Sequence, residues 1–200
     1  MTQATKALML TPADGPVLRA VAELVAAAVG RREALGLAGP LTAAEYRAQL
    51  DRLLEQAAAG DAGLGVIMDE HGGVLGTAQW TRSPYRTRRV LAEIDRVCVA
   101  PPARGLGIGR LVVQLAVADA ADHGVEVLGL EVRGNNHRAL ALYERCGFRR
   151  TGLIPNAVAE DLDRYDVVLM HRELPRPLGL RLIGSDPVGI GSSTPRRLAG

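Results

Sequence analysis

The chain is poor in aromatic side chains. Its 200 residues hold one Trp, one Phe and four Tyr, so aromatics make up 3% while hydrophobic residues make up 48%. A core must therefore be built from Leu, Val, Ile and Ala, and the length suffices for one domain with such a core. Cysteine is scarce too. Cys98 and Cys146 stand far apart in apolar surroundings, which reads as two buried thiols rather than a disulfide. No apolar run reaches the length of ~18 residues that a spanning helix needs, so no membrane partner is expected. The first residues lack a basic region followed by an apolar stretch, so no secretion signal shows and a cytoplasmic location is expected. Neither charge dominates: the formal net charge is +2. Arg176, Arg181, Arg196 and Arg197 against Asp186 place that excess near the end of the chain. The rest gives a nucleic-acid partner no electrostatic footing. His71, His123, His137 and His171 have no metal-ligand spacing, and no Ser/His/Asp nucleophile pattern occurs.

What the chain does have is glycine in a telling place. Arg104-Gly105-Leu106-Gly107-Ile108-Gly109 follows an apolar strand ending Val97-Cys98-Val99 and opens a helix running to about Ala121. Glycines let the backbone turn sharply and present successive N–H groups, and a helix N-terminus favours an anion there. The stretch reads as a pyrophosphate cradle. It is not the dinucleotide fingerprint, which needs Gly at its first, third and sixth positions. Counted from Gly105 the sixth is Arg110, and from Gly107 it is Val112. Nor is it a P-loop, because Gly109 is followed by Arg110-Leu111 rather than Lys and Ser/Thr. A second distinctive stretch, Asn136-His137-Arg138-Ala139-Leu140-Ala141-Leu142-Tyr143-Glu144-Arg145-Cys146-Gly147-Phe148, follows after one helix and one strand.

These two stretches, Arg-x-x-Gly-x-Gly and Asn-x-x-Ala-x-x-Leu-Tyr-x-x-x-Gly-Phe, resemble the paired coenzyme A motifs of the GNAT superfamily of N-acetyltransferases. The resemblance is close over Leu91 to Phe148. It implies an α/β fold: a mixed, mostly antiparallel seven-stranded sheet, splayed between its fourth and fifth strands and flanked by about four helices. It implies acetyl-CoA as acyl donor and a primary amine as acceptor, whether a small molecule, an antibiotic-like toxin or a protein amine. The cofactor-binding residues it carries over are Val97, Cys98 and Val99 on the strand, Arg104, Gly105, Leu106, Gly107, Ile108, Gly109 and Arg110 in the loop, and Asn136 and Tyr143 in the second motif. A backbone N–H at Cys98 or a neighbour would polarise the thioester carbonyl. Tyr143 stands two helical turns after Asn136, hence on the same face. By resemblance it protonates the departing thiolate, which an ordinary Tyr pKa near ~10 allows. Glu93, in Ala92-Glu93-Ile94, is expected to take the amine's proton, with Asp95 or a water chain as alternatives. The acetyl group would pass directly, without an acyl-enzyme. A rival of another class is a non-catalytic acyl-CoA-binding module acting through a protein partner. A homodimer through the last strand of the sheet also remains open.

Around these motifs the chain reads as a single domain over 1–174. A strand over Lys6–Thr11 is followed by a helix opened by Asp14-Gly15-Pro16, with Val17, Leu18, Val21, Leu24, Val25 and Ala28 at helical spacing. A Gly/Pro loop spans 30–40, and Thr42-Ala43-Ala44-Glu45 is a capping box for a helix to about Ala58. Gly63–Asp69 and Val74–Arg82 read as a hairpin turning at His71-Gly72-Gly73. In the central strand, Leu91–Val99, the step from Ile94 to Val97 breaks the two-residue period, and a β-bulge near Asp95-Arg96 would restore both to one face. Val125–Val132 reads as a strand buried on both sides. Leu153–Asp163 reads as a loop, and Tyr165–Leu174 as the closing strand. By resemblance, Gly30–Leu41 and Ser83–Val90 shape the acceptor pocket. Arg82, Arg86, Arg88 and Arg89 are candidates for an acidic acceptor or the cofactor's 3′-phosphate, and Glu160, Asp161 and Asp163 for attracting a cationic amine. The last stretch, 175–200, is Gly/Pro-rich and basic and is expected to be a mobile tail.

Overall fold

A computed structural model describes residues 4–37 and 39–175. The tail expected over 175–200 lies, beyond Pro175, outside the described residues. The elements run β1 (Thr5–Met9), α1 (Gly15–Gly30), α2 (Ala43–Ala58), β2 (Ala62–Asp69), β3 (Val74–Arg82), β4 (Leu91–Val99), α3 (Ile108–Asp122), β5 (Val127–Arg133), α4 (His137–Arg145), β6 (Arg149–Glu160) and β7 (Asp163–Glu173). Seven strands form one sheet in the order β1-β2-β3-β4-β5-β7-β6. Every neighbouring pair is antiparallel except β4 and β5.

Helix starts follow local chemistry. Pro16 sits in the first turn of α1, where a missing N–H costs nothing. Thr42 caps α2: its hydroxyl accepts the Glu45 N–H while the Glu45 carboxylate accepts the Thr42 N–H. α1 and α2 cover one face of the sheet, burying Leu18, Val21, Val25, Tyr46, Leu50 and Leu54 against Leu64, Val66 and Cys98. α3 and α4 cover the other, where Ile108, Val112, Val113 and Leu140 meet Trp80, Ile94, Leu128 and Met170. β2 lies between the two layers, and Ala62–Met68 is buried on both sides. Trp80, the one tryptophan, is fully buried and donates its indole N–H to Asp119 Oδ2 at 2.7 Å.

Two features of β4 open the site. β4 and β5 pair only over Leu91↔Val127, Ala92↔Leu128 and Glu93↔Gly129. Beyond that rung β4 stays with β3, and β5 stays with β7, so the sheet splits. The second is the expected bulge. Thr77 and Gln79 on β3 face Cys98 and Asp95 on β4, so Ala78 alone stands opposite Arg96 and Val97, one residue against two. The extra residue is Arg96, whose φ of 50° is rare for a side chain larger than glycine. The bulge turns Ile94, Val97 and Val99 toward α3, and leaves Cys98 facing α1 and α2.

The sequence reading errs at Leu153–Asp163. That segment is strand almost to its end, because β6 runs to Glu160 and a tight turn leads into β7. β6 is the outermost strand, exposed on both faces, so it lacks a two-residue hydrophobic period. Irregularities between Arg150 and Gly152 and between Ile154 and Val158 hide what period remains. Asn156, at φ 54°, is held in the second of these by Asp166 Oδ1, which accepts its N–H at 3.0 Å.

Candidate active site

The loop after β4 delivers its N–H groups to the mouth of the split. Gly105 and Gly107 adopt φ of 81° and 85°, and Gly107 is the N-cap of α3. The N–H groups of Gly105, Leu106, Gly107, Ile108 and Gly109 meet no backbone acceptor among the described residues; the next, Arg110 N–H, turns back to Gly107 O at 3.0 Å. The first turn of α3 holds no acidic residue, and no side chain caps it. A methyl group at Gly105 or Gly107 would touch nothing, so the space above the loop is open. An uncapped helix start with open donors and no carboxylate fits a pyrophosphate. Gly109 has another role: a Cβ there would lie 3.2 Å from Leu142 Cδ2, so glycine lets α3 approach α4.

The expected cofactor residues divide by what they can offer. Ile108 and Cys98 are buried, leaving only their backbone for a ligand. Burial, with Glu33 nearby, pushes the Cys98 thiol up to about 11, so it stays protonated and unreactive. Val97 and Val99 are half-buried on the α3 side of the split. Arg104 does not lie free over the cradle. Its Nη2 meets both carboxylate oxygens of Glu33 at 2.7 Å, and its Nε donates to Val99 O at 3.1 Å. The pair ties the loop after α1 to the cradle. Burial alone would raise Glu33, but hydrogen bonds from Arg104 and Arg31 outweigh it and hold the carboxyl below its usual value. Leu106 and Arg110 are exposed. Asn136 is the N-cap of α4, its Oδ1 accepting the Ala139 N–H at 3.2 Å.

Tyr143, on α4, packs edge-on against Phe148 with ring centroids 5.9 Å apart, and its hydroxyl makes no hydrogen bond among the described residues. Burial raises its pKa well above the usual value, and Cys146 and Asp95 add to the shift. Asp95 is therefore within electrostatic reach of the hydroxyl. Glu93 and Asp95 both lie on β4 before the bulge. Glu93 is exposed at the last rung of the β4–β5 pairing, where bare Gly129 leaves room for its side chain and for His171 on β7. Asp95 is half-buried, and its Oδ1 is enclosed without a hydrogen-bond partner. Burial raises its pKa, against the pull of Arg96 and a hydrogen bond from Gln79. Gln79 is in turn fixed by buried Tyr46, whose O–H donates to Gln79 Oε1 at 3.3 Å.

On the α2 side lies a cavity of about 250 Å³ lined by Tyr46, Gln49, Arg52, Leu53, Gln56, Gln79 and Arg96. Arg96 reaches from the bulge to Leu35 O, 2.9 Å away, so the loop after α1 is anchored beside this cavity. Ser83–Val90, expected at the pocket, supplies none of its lining. That segment sits at the start of β4, roughly 25 Å from the cradle at ~3.3 Å per strand residue. The arginines there are thus misplaced for a 3′-phosphate. Arg82 is structural, held by the carbonyls of Arg89, His123 and Gly60 and by Asp61, and Arg89 also pairs with Asp61. Two of the three acidic residues are already paired, Glu160 with Arg133 at 2.5 Å and Asp161 with Arg32 at 3.1 Å, while the Asp163 carboxylate accepts only the Tyr165 hydroxyl among the described residues. Sequence reasoning missed the roles of Tyr46, Gln79 and Arg52. Tyr46 lies on the buried face of α2 with Leu50, Leu53 and Leu54, and nothing local marks the other two.

Comparison with known proteins shows the family and the fold. Residues 33–148 match the model of the Acetyltransferase (GNAT) family. The Bacillus subtilis (strain 168) protein YwnH, assigned to phosphinothricin acetylation, is 34% identical over 54% of this chain and 67% of its own. The [ribosomal protein bS18]-alanine N-acetyltransferase of Escherichia coli (strain K12) is 32% identical over 40% of this chain and 53% of its own, so this chain spans about half of that relative. Among solved structures, the GNAT superfamily phosphinothricin acetyltransferase of Sinorhizobium meliloti, in complex with acetyl-CoA, superposes with a TM-score of 0.73 at 23% identity. The match covers 87% of this chain and 89% of that one, and shows a shared fold.

Proposed function

Since the chain belongs to the GNAT acetyltransferase family, we propose that it moves an acetyl group from acetyl-CoA directly to a primary amine. The observation that carries this reading is the open row of N–H groups from Gly105 to Gly109 after β4, with Tyr143 on α4 within electrostatic reach of Asp95 on β4. Bound acetyl-CoA supplies an activated acyl carbon and a thiolate leaving group. The cradle holds the pyrophosphate, with Leu106, Ile108 and Arg110 as its non-glycine members, while Val97, Cys98 and Val99 offer backbone groups to the pantetheine arm. Asn136 caps α4 and so orders the helix that carries Tyr143, which would face the cofactor's sulfur when acetyl-CoA is bound. Tyr143 keeps its proton at neutral pH and gives it to the departing sulfur.

The amine's proton goes to a carboxylate of β4. The family resemblance names Glu93. The geometry favours Asp95 as a second reading, because its enclosed Oδ1 has no partner and Gln79 and Tyr46 fix its position. Glu93→Gln and Asp95→Asn, compared by the acidic limb of the pH–rate profile, separate the two: the base is the one whose loss removes that limb. The function itself is tested by thiol release from acetyl-CoA across amino acids, polyamines, aminoglycosides and peptides bearing Lys or free N-termini. Release with one class establishes the enzyme. Silence across the panel, with acetyl-CoA bound, favours the non-catalytic acyl-CoA-binding module. No described helix is long and apolar enough to cross a membrane, and we place the reaction in the cytoplasm.

A further inference from the structure

Beyond β4 one face of the sheet stays bare. Ile94, Leu128 and Met170 bury the other face under α3 and α4, and strand alternation turns Glu93, Gly129 and His171 the opposite way. No residue of β5, β6 or β7 belongs to the core under α1 and α2, and Glu93, His171 and Thr151 are exposed there. They form a row, since Glu93 pairs with Gly129 and Gly129 with His171. Gly129 has no side chain, and its neighbours lean into the space it leaves. A Cβ on Gly129 would lie 3.3 Å from His171 Nε2 and 3.8 Å from Glu93 Cγ, so both side chains border one spot at the last rung before the split. The other ring nitrogen is anchored: Thr151 Oγ1 stands 2.5 Å from His171 Nδ1. Thr151 is the inserted residue of the first β6 irregularity, between Arg150↔Met170 and Gly152↔Leu169. A hydroxyl donates or accepts, so it holds either tautomer of the ring. Glu93 makes no hydrogen bond or ion pair among the described residues, and its charge reaches Asp95, two positions along β4.

We propose that His171 is the proton exit of the acetyl transfer: it takes the acceptor's proton from the β4 carboxylate and hands it to water on the bare face. The inference rests on the acetyltransferase reading above and holds whether Glu93 or Asp95 is the base, because Glu93 lies between Asp95 and His171. An ammonium acceptor loses two protons on becoming an amide. One ends on the thiol, given by Tyr143 and replaced from the nitrogen after it has bonded to the acetyl carbon. The other must leave the site before the nitrogen attacks. The carboxylate takes it and passes it to Nε2 of neutral His171, by a turn of the Glu93 side chain or through one water over Gly129. The imidazolium then releases it to solvent, and both groups are restored. Imidazole suits the task because its charge ordinarily changes between pH 5 and 8. The charged groups that face the ring are Glu93 from β4, Glu131 from β5, Arg149 from β6 and Glu173 on β7 itself.

The test uses the amine of the panel above that gives the fastest thiol release. His171→Ala should lower kcat about tenfold or more with the KM for acetyl-CoA kept, and added imidazole should restore it. His171→Gln keeps a polar side chain beside Thr151 but carries no proton, so it should be as slow as the alanine variant. A merely structural histidine would be replaced by the glutamine without loss. Gly129→Ala fills the spot between the two side chains and should also slow turnover. The coupling is read without turnover by NMR, from the imidazole C2 proton of His171 against pH, assigned by its loss in His171→Gln. Glu93→Gln should lower its midpoint by about half a pH unit or more, because a nearby carboxylate favours the imidazolium. Parental kcat in His171→Gln, no response of His171→Ala to imidazole, or a midpoint unmoved by Glu93→Gln overturns the proton exit and leaves the acetyltransferase standing. Absence of thiol release with every amine overturns the enzyme reading, and the exit with it.

Discussion

Gly107→Ala separates what the cradle needs for folding from what it needs for binding, because the protein contains its own control. Gly107 has φ 85° and Gly72, in the β2–β3 turn, has φ 84°. A Cβ at either position meets nothing within 4 Å. The backbone demand and the free space are therefore alike, and each alanine pays the left-handed penalty of about 1–2 kcal/mol. For a domain of this size that lowers the melting temperature by about 2–8 °C, equally in both variants. Binding should differ sharply. A Cβ at Gly107 projects into the space above the cradle, and relaxing its φ turns the N–H groups of Ile108 and Gly109 away from the pyrophosphate. A hydrogen bond to a charged group contributes about 1.5–3 kcal/mol, so losing one weakens acetyl-CoA about tenfold to a hundredfold. Thermal melting without ligand and calorimetric titration with acetyl-CoA read the two effects. Equal loss of affinity in both variants, or parental affinity in Gly107→Ala, refutes the cradle.

Three further outcomes follow from the same geometry. Tyr143→Phe should lower kcat about 10²–10⁴-fold with acetyl-CoA affinity kept, since the hydroxyl is bonded to nothing here; an unchanged kcat removes its acid role. Asp95→Asn tests the buried carboxyl. Its folded pKa lies above the unfolded value, so stability is fully present below the unfolded pKa and is lost as pH rises through the folded pKa. The amide should therefore match or raise the melting temperature at pH 7, with the gain shrinking at lower pH, while turnover falls; a marked loss of stability at pH 7 contradicts that sign. Gly63→Ala should be severely destabilising, because a Cβ would lie 2.3 Å from Asp119 Oδ2 and 2.4 Å from Trp80 Nε1 and break their hydrogen bond. Overpacking and an unpartnered indole N–H each cost about 1–3 kcal/mol, and a denaturant midpoint close to the parent's contradicts the packing.

The glycine loop after β4 was legible in the sequence and the cavity beside α2 was not, for a physical reason. The cradle is contiguous: strand end, glycines and helix start follow one another from Val97 to Arg110, and each leaves a local mark. The bulge was legible too, since one inserted residue breaks a two-residue period within β4 itself. The cavity is assembled across the fold. Tyr46 and Gln79 are 33 positions apart and meet only when α2 packs on the sheet. Arg96 reaches back 61 positions to Leu35. Neither contact leaves a pattern in either partner's neighbours. The acidic turn misled for the converse reason. Read alone, Glu160 and Asp161 look like free charge, yet Arg133 and Arg32 come from β5 and from the end of α1 to neutralise them.

The bulge at Arg96 explains how β4 faces both the glycine loop and the cavity beside α2. A regular β4 would put Asp95 and Val97 on one face and Ile94 and Cys98 on the other. The inserted residue reverses this beyond position 96, so Val97 and Val99 turn to the α3 side of the split and Cys98 seals the α2 side. Asp95 stays on the face reached by Gln79, next to the cavity. Arg96 itself, at positive φ, is thrown outward to Leu35, which brings the loop after α1 to the cavity. That same loop carries Glu33, which holds Arg104 at the foot of the cradle. The α2-side cavity and the glycine loop are thus joined twice through one loop, by Arg96 to its Leu35 carbonyl and by Arg104 to its Glu33 carboxylate. The strain of a non-glycine residue at φ 50° is the local cost of that arrangement, and its position between the cavity and the glycine loop is where such strain is expected to be kept.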